Sequence, residues 1–179
     1  MKSALLIIDV QTALCTGQWA AFDIDNVVNR INSVSDRARV AGIPVIVIQH
    51  EENEEPLFFN SDGWQLYERL VVKPEDIRIR KAGSDSFFNT ELQSILQERG
   101  ITNLIVCGLQ SEFCVDSTVR VALAHGYPVT LIGDGHTTMD NDILSAAQIS
   151  AHHNYTLRNL GSYGPRVTIT NAEQVRFDA

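Results

Sequence analysis

The sequence predicts an α/β protein, a Rossmann-like three-layer α-β-α arrangement built on a doubly wound, mainly parallel sheet of about six strands. Three observations carry this. Short runs are apolar at every position, helical patterns lie between them, and glycine ends three of those patterns. A strand that is apolar throughout suits a sheet covered on both faces. Strands separated by helices form βαβ units, which require parallel pairing with the helices packed on the faces.

Ala4-Leu5-Leu6-Ile7-Ile8, closed by Asp9, predicts the first strand. A helical pattern over 27–41 stops at Gly42, where a helix C-cap calls for positive φ, and Pro44 opens a second strand over 44–49. The segment 51–72 is less regular and predicts a long connection, with a helix around 63–70, suited to covering a substrate. Ile77-Arg78-Ile79-Arg80 predicts a short third strand. A helix over 90–99 ends at Gly100, strand 103–108 follows, and a helix over 115–125 ends at Gly126 before strand 128–133. His152 and His153 lie on a further helix, and Val167-Thr168-Ile169-Thr170 predicts the last strand. No repeat, low-complexity tract or linker interrupts the 179 residues, which predicts one domain over 1–179.

Composition excludes several classes of function. With 44% hydrophobic and 20% charged residues the chain is ordinary globular material. A formal net charge of -8, with 14 Lys and Arg scattered among 22 acids, argues against nucleic acid and against an anionic membrane. The apolar stretch at the N-terminus is too short for a signal-peptide core or a membrane span, and three cysteines are too few and too odd for a disulfide framework. A cytoplasmic protein is expected.

In an open parallel sheet, ligands bind beyond the carboxyl ends of the strands. The residues that end the apolar runs are Asp9 and Gln11, Gln49 and His50, Arg80 and Lys81, and the loop Gly108-Leu109-Gln110-Ser111-Glu112-Phe113 leading to Cys114. An acid, a base and a thiol thus converge on one edge. Val115, Val119, Ala122 and Leu123 form an apolar stripe that starts just after Cys114, which predicts the thiol at a helix N-terminus. Such a site lowers a thiol pKa and offers backbone N–H groups to an oxyanion. Two readings of Cys114 stand at this point, a nucleophile or a small buried hydrophobe. Asp9 is either a general base or a loop cap, and Lys81 either holds Asp9 ionised or is a solvated surface lysine.

The other candidates are weaker. Cys107 falls within a buried strand, and Cys15 lies in a polar loop without a partner at metal-ligand spacing. His152 and His153 are adjacent on a helix, point about 100° apart and so do not chelate one ion. Glu51, Glu52, Glu54 and Glu55 read as a solvated acidic run. No Gly-x-Gly-x-x-Gly or P-loop follows a strand, so neither metal nor nucleotide has a motif behind it, and no cofactor is expected.

Three blocks taken together resemble the isochorismatase-like cysteine hydrolase family, which includes nicotinamidases and N-carbamoylsarcosine amidohydrolases. They are Ala4-Leu5-Leu6-Ile7-Ile8-Asp9-Val10-Gln11; Arg80-Lys81 with Ser86-Phe87-Phe88, Thr90 and Leu92; and Gly108 to Val115 with Thr118, Ala122, Gly126-Tyr127 and Asp134. The resemblance implies an Asp–Lys–Cys triad of Asp9, Lys81 and Cys114, acting by two-step acyl transfer through a thioester. It also implies a non-proline cis peptide at Leu109–Gln110, an oxyanion hole from the N–H groups of Gln110 and Cys114, and a homo-oligomer, dimer or tetramer. By position, Gln11, His50, Trp64, Phe88 and His136 are expected around a small-molecule substrate.

Departures from the family pattern bear on the substrate. Gln49-His50-Glu51 stands where nicotinamidases carry an Asp-x-His metal motif, which argues against that metal-dependent branch. The cysteine is present, whereas vinyl-ether-cleaving isochorismatases typically lack it. An amide or ureido C–N bond is therefore expected to be cleaved. The alternatives are a vinyl-ether hydrolase and a non-catalytic module that binds a nucleotide or another small molecule.

Overall fold

The computed structural model describes residues 1–177. Six strands, β1 (Ser3–Ile8), β2 (Val45–His50), β3 (Ile77–Lys81), β4 (Asn103–Leu109), β5 (Val129–Thr137) and β6 (Val167–Thr170), form one sheet in the order β3-β2-β1-β4-β5-β6. Every pairing is parallel. The helices are α1 (Thr12–Cys15), α2 (Ile24–Val40), α3 (Leu92–Glu98), α4 (Asp116–Ala124) and α5 (Ala146–Arg158). The expected α/β three-layer fold is the observed one.

Alternation along β1 divides the core in two. Ala4, Leu6 and Ile8 join a cluster with Leu92 and Leu96 of α3, Val119 and Leu123 of α4 and Leu157 of α5. Leu5 and Ile7 face the opposite way, toward Val27, Val28, Ile31, Val34 and Ala38 of α2. Burial on both faces explains why the strand sequences are continuously apolar. Beyond β1 the chain winds outward to β2 and β3, and on the other side to β4, β5 and β6, so strand order reverses between β1 and β4. A crevice forms at such a reversal, at the carboxyl ends of the strands.

Three sequence expectations change. No helix forms over 63–70. The backbone there is used laterally instead: Thr12 N–H donates to Gln65 C=O and Tyr67 N–H to Val10 C=O, while Tyr67 and Leu70 are buried against the α2 face. Those cross-chain bonds replace the i→i−4 ladder that the local pattern favoured. β5 runs past 133 to Thr137, because after a register shift Gly108 and Leu109 of β4 pair with His136 and Thr137. Cys15 ends the short helix α1 and is buried, not in a polar loop. Among the described residues, no helix is long and apolar enough to cross a membrane.

Gly108 fixes how closely β1 and β4 approach at the crevice. Its φ is +121°, and a Cβ at this position would stand 2.1 Å from the carbonyl oxygen of Ile8. Neither backbone can yield without displacing Asp9 or the turn after β4. Gly108→Ala is expected to destabilise by more than about 3 kcal/mol, a fall of roughly 10 °C in Tm for a chain of this length. A thermal melt reads it, and a fall below about 2 °C would contradict the close approach.

Candidate active site

The carboxyl ends of β1 and β3 and the turn after β4 bring Asp9, Lys81 and Cys114 together. Lys81 lies at the end of β3, beside His50 of β2 in the parallel register. Its Nζ stands 2.8 Å from Asp9 Oδ2, with the two side chains 0% and 1% exposed. The same Nζ donates toward Cys114 Sγ at 3.3 Å and Gly83 C=O at 3.2 Å, and His50 Nδ1 is 3.3 Å away. Four acceptors surround an ammonium with three N–H bonds. The Asp9 contact is the ion pair that holds the carboxylate against the ammonium.

Asp9 reaches this partner through an uncommon backbone. Strict alternation would send residue 9 to the face of Leu5 and Ile7, whereas Lys81 shares the opposite face with Ile79. At Asp9 φ is +52°, in the left-handed region, so alternation breaks there. A non-glycine residue in such a conformation costs about 1–3 kcal/mol and persists where the surroundings enforce it. The Asp9 N–H to Ile48 C=O bond and the Lys81 ion pair supply that enforcement.

Cys114 lies within a wide π-helical turn, Ser111–Val115, that runs into α4. Gln110 C=O accepts from the N–H groups of both Phe113 and Val115, and the Leu109–Gln110 peptide is cis. Cys114 thus stands at the N-terminal end of α4 as expected, but inside a helical turn, and the expectation of a lowered thiol pKa is corrected. Three helical residues precede Cys114, and burial, reinforced by the Asp9 carboxylate, pushes its thiol up to about 12, against the pull of Lys81. On Lys81, burial acts to lower the pKa, but Asp9 and Cys114 outweigh it and the net shift is upward. These shifts favour a neutral Cys114 thiol beside a charged Lys81. Burial also raises Cys15, to about 12, and Cys107.

Of the residues expected around a substrate, His50 and Phe88 border this cluster. The Phe88 ring lies against Gly83, the residue whose carbonyl accepts from Lys81, and is itself exposed. His50 faces Lys81 through Nδ1, and its Nε2 is 3.4 Å from Glu52 Oε1. The other three are placed elsewhere. Gln11 is buried, and its amide continues the sheet: Nε2 donates to the carbonyls of His50 and Trp64, and Oε1 accepts from His50 N–H. Trp64 lines a cavity of about 670 Å³ with Gln49, Arg78 and Arg80, whose lining includes none of Asp9, Lys81 and Cys114. His136 is buried beneath the Cys114 turn, bonded to Ser111 at 2.7 Å and to Asn154 at 3.0 Å. Both Gln11 and His136 have their polar atoms bonded within the protein.

Sequence reasoning passed over Gly83, Ser150 and Asn154, and met Ser86 and Thr118 only as residues of the family blocks. Ser86 and Thr118 hydroxyls meet at 2.9 Å in the interior and tie the loop bearing Gly83 to α4. Of the residues passed over, Ser150 and Asn154 carried a readable signal in their four-residue spacing on α5, beside the buried Ala146, Ile149 and Leu157. Among the described residues no three His, Cys, Asp or Glu side chains are grouped to hold a metal ion.

Comparison with known proteins shows the family of the chain. The model of the isochorismatase domain matches residues 3–163. Streptothricin hydrolase from Streptomyces noursei is 37% identical over 138 residues, 76% of this chain and 55% of that protein, so the chain spans about half the length of this relative. Ureidoacrylate amidohydrolase RutB from Pseudomonas syringae pv. syringae is 31% identical over 156 residues, 66% of this chain and 64% of that one. The crystal structure of an isochorismatase from Pseudomonas putida KT2440 superposes with a TM-score of 0.88 at 29% identity, covering 98% of this chain and 90% of that one. A buried Asp–Lys–Cys cluster at the switch point of a six-stranded parallel sheet, and a domain match over most of the chain, lead to one conclusion: the chain belongs to the isochorismatase family.

Proposed function

We propose that the protein is a cysteine-dependent hydrolase that cleaves an amide or ureido C–N bond of a small molecule through a thioester on Cys114. The observation that carries this reading is the Lys81 ammonium held between the Asp9 carboxylate at 2.8 Å and the Cys114 sulfur at 3.3 Å, out of contact with water. The names of two relatives, a streptothricin hydrolase and a ureidoacrylate amidohydrolase, support hydrolysis, and the second supports a C–N bond.

The chemistry follows from the charges. A thiol raised by burial is a weak nucleophile until its proton has somewhere to go, and the neighbouring Asp9 carboxylate is the candidate acceptor. Asp9 takes the S–H proton as Sγ attacks the carbonyl carbon. The N–H groups of Gln110 and Cys114 are the candidates to receive the oxyanion. Collapse of the tetrahedral species breaks the C–N bond, and the amine departs with the proton held by Asp9. Asp9, ionised again, deprotonates a water that attacks the thioester; the acid leaves and Cys114 recovers its proton. Lys81 stays charged throughout. It compensates the extra negative charge whether that charge lies on Asp9, on sulfur or on the oxyanion.

An ammonia- and amine-release screen over ureido compounds, carbamoyl amino acids, nicotinamide and simple amides tests the reading. Cys114→Ala is expected to lower kcat by about 10³-fold or more, Asp9→Asn by about 10²–10⁴-fold and Lys81→Met by about 10²-fold or more. Full turnover in Cys114→Ala would contradict the mechanism and favour thiol-independent chemistry.

The raised thiol has its own signature in the free protein. Alkylation of Cys114 by iodoacetamide, followed by peptide mass spectrometry, is expected to climb steadily from pH 7 to about pH 10. A plateau already reached near neutrality would mean a preformed thiolate.

A further inference from the structure

We propose that His136 is a positioning residue for the Cys114 turn, acting through the Ser111 hydroxyl in a directional hydrogen-bond chain anchored at the Gly133 carbonyl. The proposal rests on the hydrolase reading above. The chain is Ser150 Oγ to Ser111 Oγ at 2.9 Å, Ser111 Oγ to His136 Nδ1 at 2.7 Å, His136 Nε2 to Asn154 Oδ1 at 3.0 Å, and Asn154 Nδ2 to Gly133 C=O at 2.9 Å.

The far end sets every donor. A carbonyl only accepts, so Asn154 presents its NH₂ to Gly133 and its Oδ1 to the histidine. His136 must then carry its proton on Nε2, which leaves Nδ1 an acceptor. The Ser111 hydroxyl donates to that nitrogen, and its oxygen is free to accept from Ser150. Burial holds His136 neutral, with its pKa below the ordinary value despite the opposing Asn154 bond and Asp134; His153 adds a small effect in the same direction as burial. A neutral ring is the form that this chain requires.

The turn needs such an anchor. Ser111 is its first residue and follows Gln110 directly, and neither the turn nor α4 has a side-chain cap at its N-terminal end. A π-helical turn is wider than an α-helical one and is seldom stable on its own. Held to β5 and α5 through Ser111, the turn keeps Cys114 Sγ at its 3.3 Å contact with Lys81. Misplacement of a reacting group by about 1 Å costs as much as 100-fold in rate.

Two substitutions separate the two ring nitrogens. In His136→Asn the amide oxygen stands where Nδ1 stood and still accepts from Ser111. In His136→Gln the amide reaches the Nε2 position and keeps Asn154 but loses Ser111. The expected result is a kcat loss of about 10–100-fold in His136→Gln and in Ser111→Ala with KM within about threefold, and a kcat within about threefold of wild type in His136→Asn. Iodoacetamide labelling of Cys114 needs no substrate, and it is expected to accelerate in His136→Gln and Ser111→Ala and to keep its wild-type rate in His136→Asn. Wild-type turnover lost in Cys114→Ala establishes the hydrolase reading separately; kcat decides where a substrate is in hand, and the labelling rate decides where none is. Equal impairment of the Asn and Gln variants, or an unchanged Ser111→Ala, would overturn the proposal. Should His136→Gln fail to fold, Ser111→Ala against wild type decides it, since it removes a single oxygen.

Discussion

The buried ammonium of Lys81 is the constraint on which the rest of the site depends. Removing such a charge from water is costly, and it persists in the interior only when anionic and polar partners surround it. Here the partners come from separated stretches of chain: Asp9 after β1, His50 at the end of β2, the Gly83 carbonyl after β3 and Cys114 after β4. Only the strand order β3-β2-β1-β4 sets these ends side by side. Fold and site are therefore one arrangement, since the sheet places the acceptors and the lysine ties the strand ends that carry them.

Around that charge the local devices are backbone ones. A left-handed Asp9 turns a carboxylate to the face where alternation would not place it, and Gly108 lets β4 approach the Ile8 carbonyl just before the turn that carries the thiol. Gln11 closes the gap between β1 and β2 with a side-chain amide that behaves like one more strand residue. The result is a stiff floor beneath the sulfur. In the proposed reaction the only groups that must change charge are Asp9, Cys114 and the substrate, while the ammonium stays fixed between them, which keeps reorganisation small as charge shifts.

Much of this was legible because the signals were local. Five consecutive apolar residues before Asp9, and the Gly-ended helical patterns, state a parallel sheet without any knowledge of contacts. The convergence of Asp9, Lys81 and Cys114 on one edge then follows from the topology. What was not legible depended on tertiary partners. The segment 63–70 reads as helical, but its backbone groups bond to Val10 and Thr12. Cys114 reads as a thiol at a helix N-terminus, since an apolar stripe begins at Val115, but the helical winding already starts at Ser111 and burial sets the thiol's proton affinity. The internal partners of Gln11 and His136 were not legible either, because polar residues at strand ends carry no local sign of what they bond. Their partners, the His50 backbone and Asn154, lie 39 and 18 residues away in the chain.

The account stands most directly on a covalent bond to one sulfur. Rapid acid quench during turnover of a substrate found in the release screen, followed by peptide mass spectrometry, reads it. The predicted result is a peptide containing Cys114 heavier by the acyl fragment of that substrate, with Cys15 and Cys107 unmodified and the adduct decaying as the acid product appears. Turnover that proceeds at full rate with no acyl group ever found on Cys114 would contradict it.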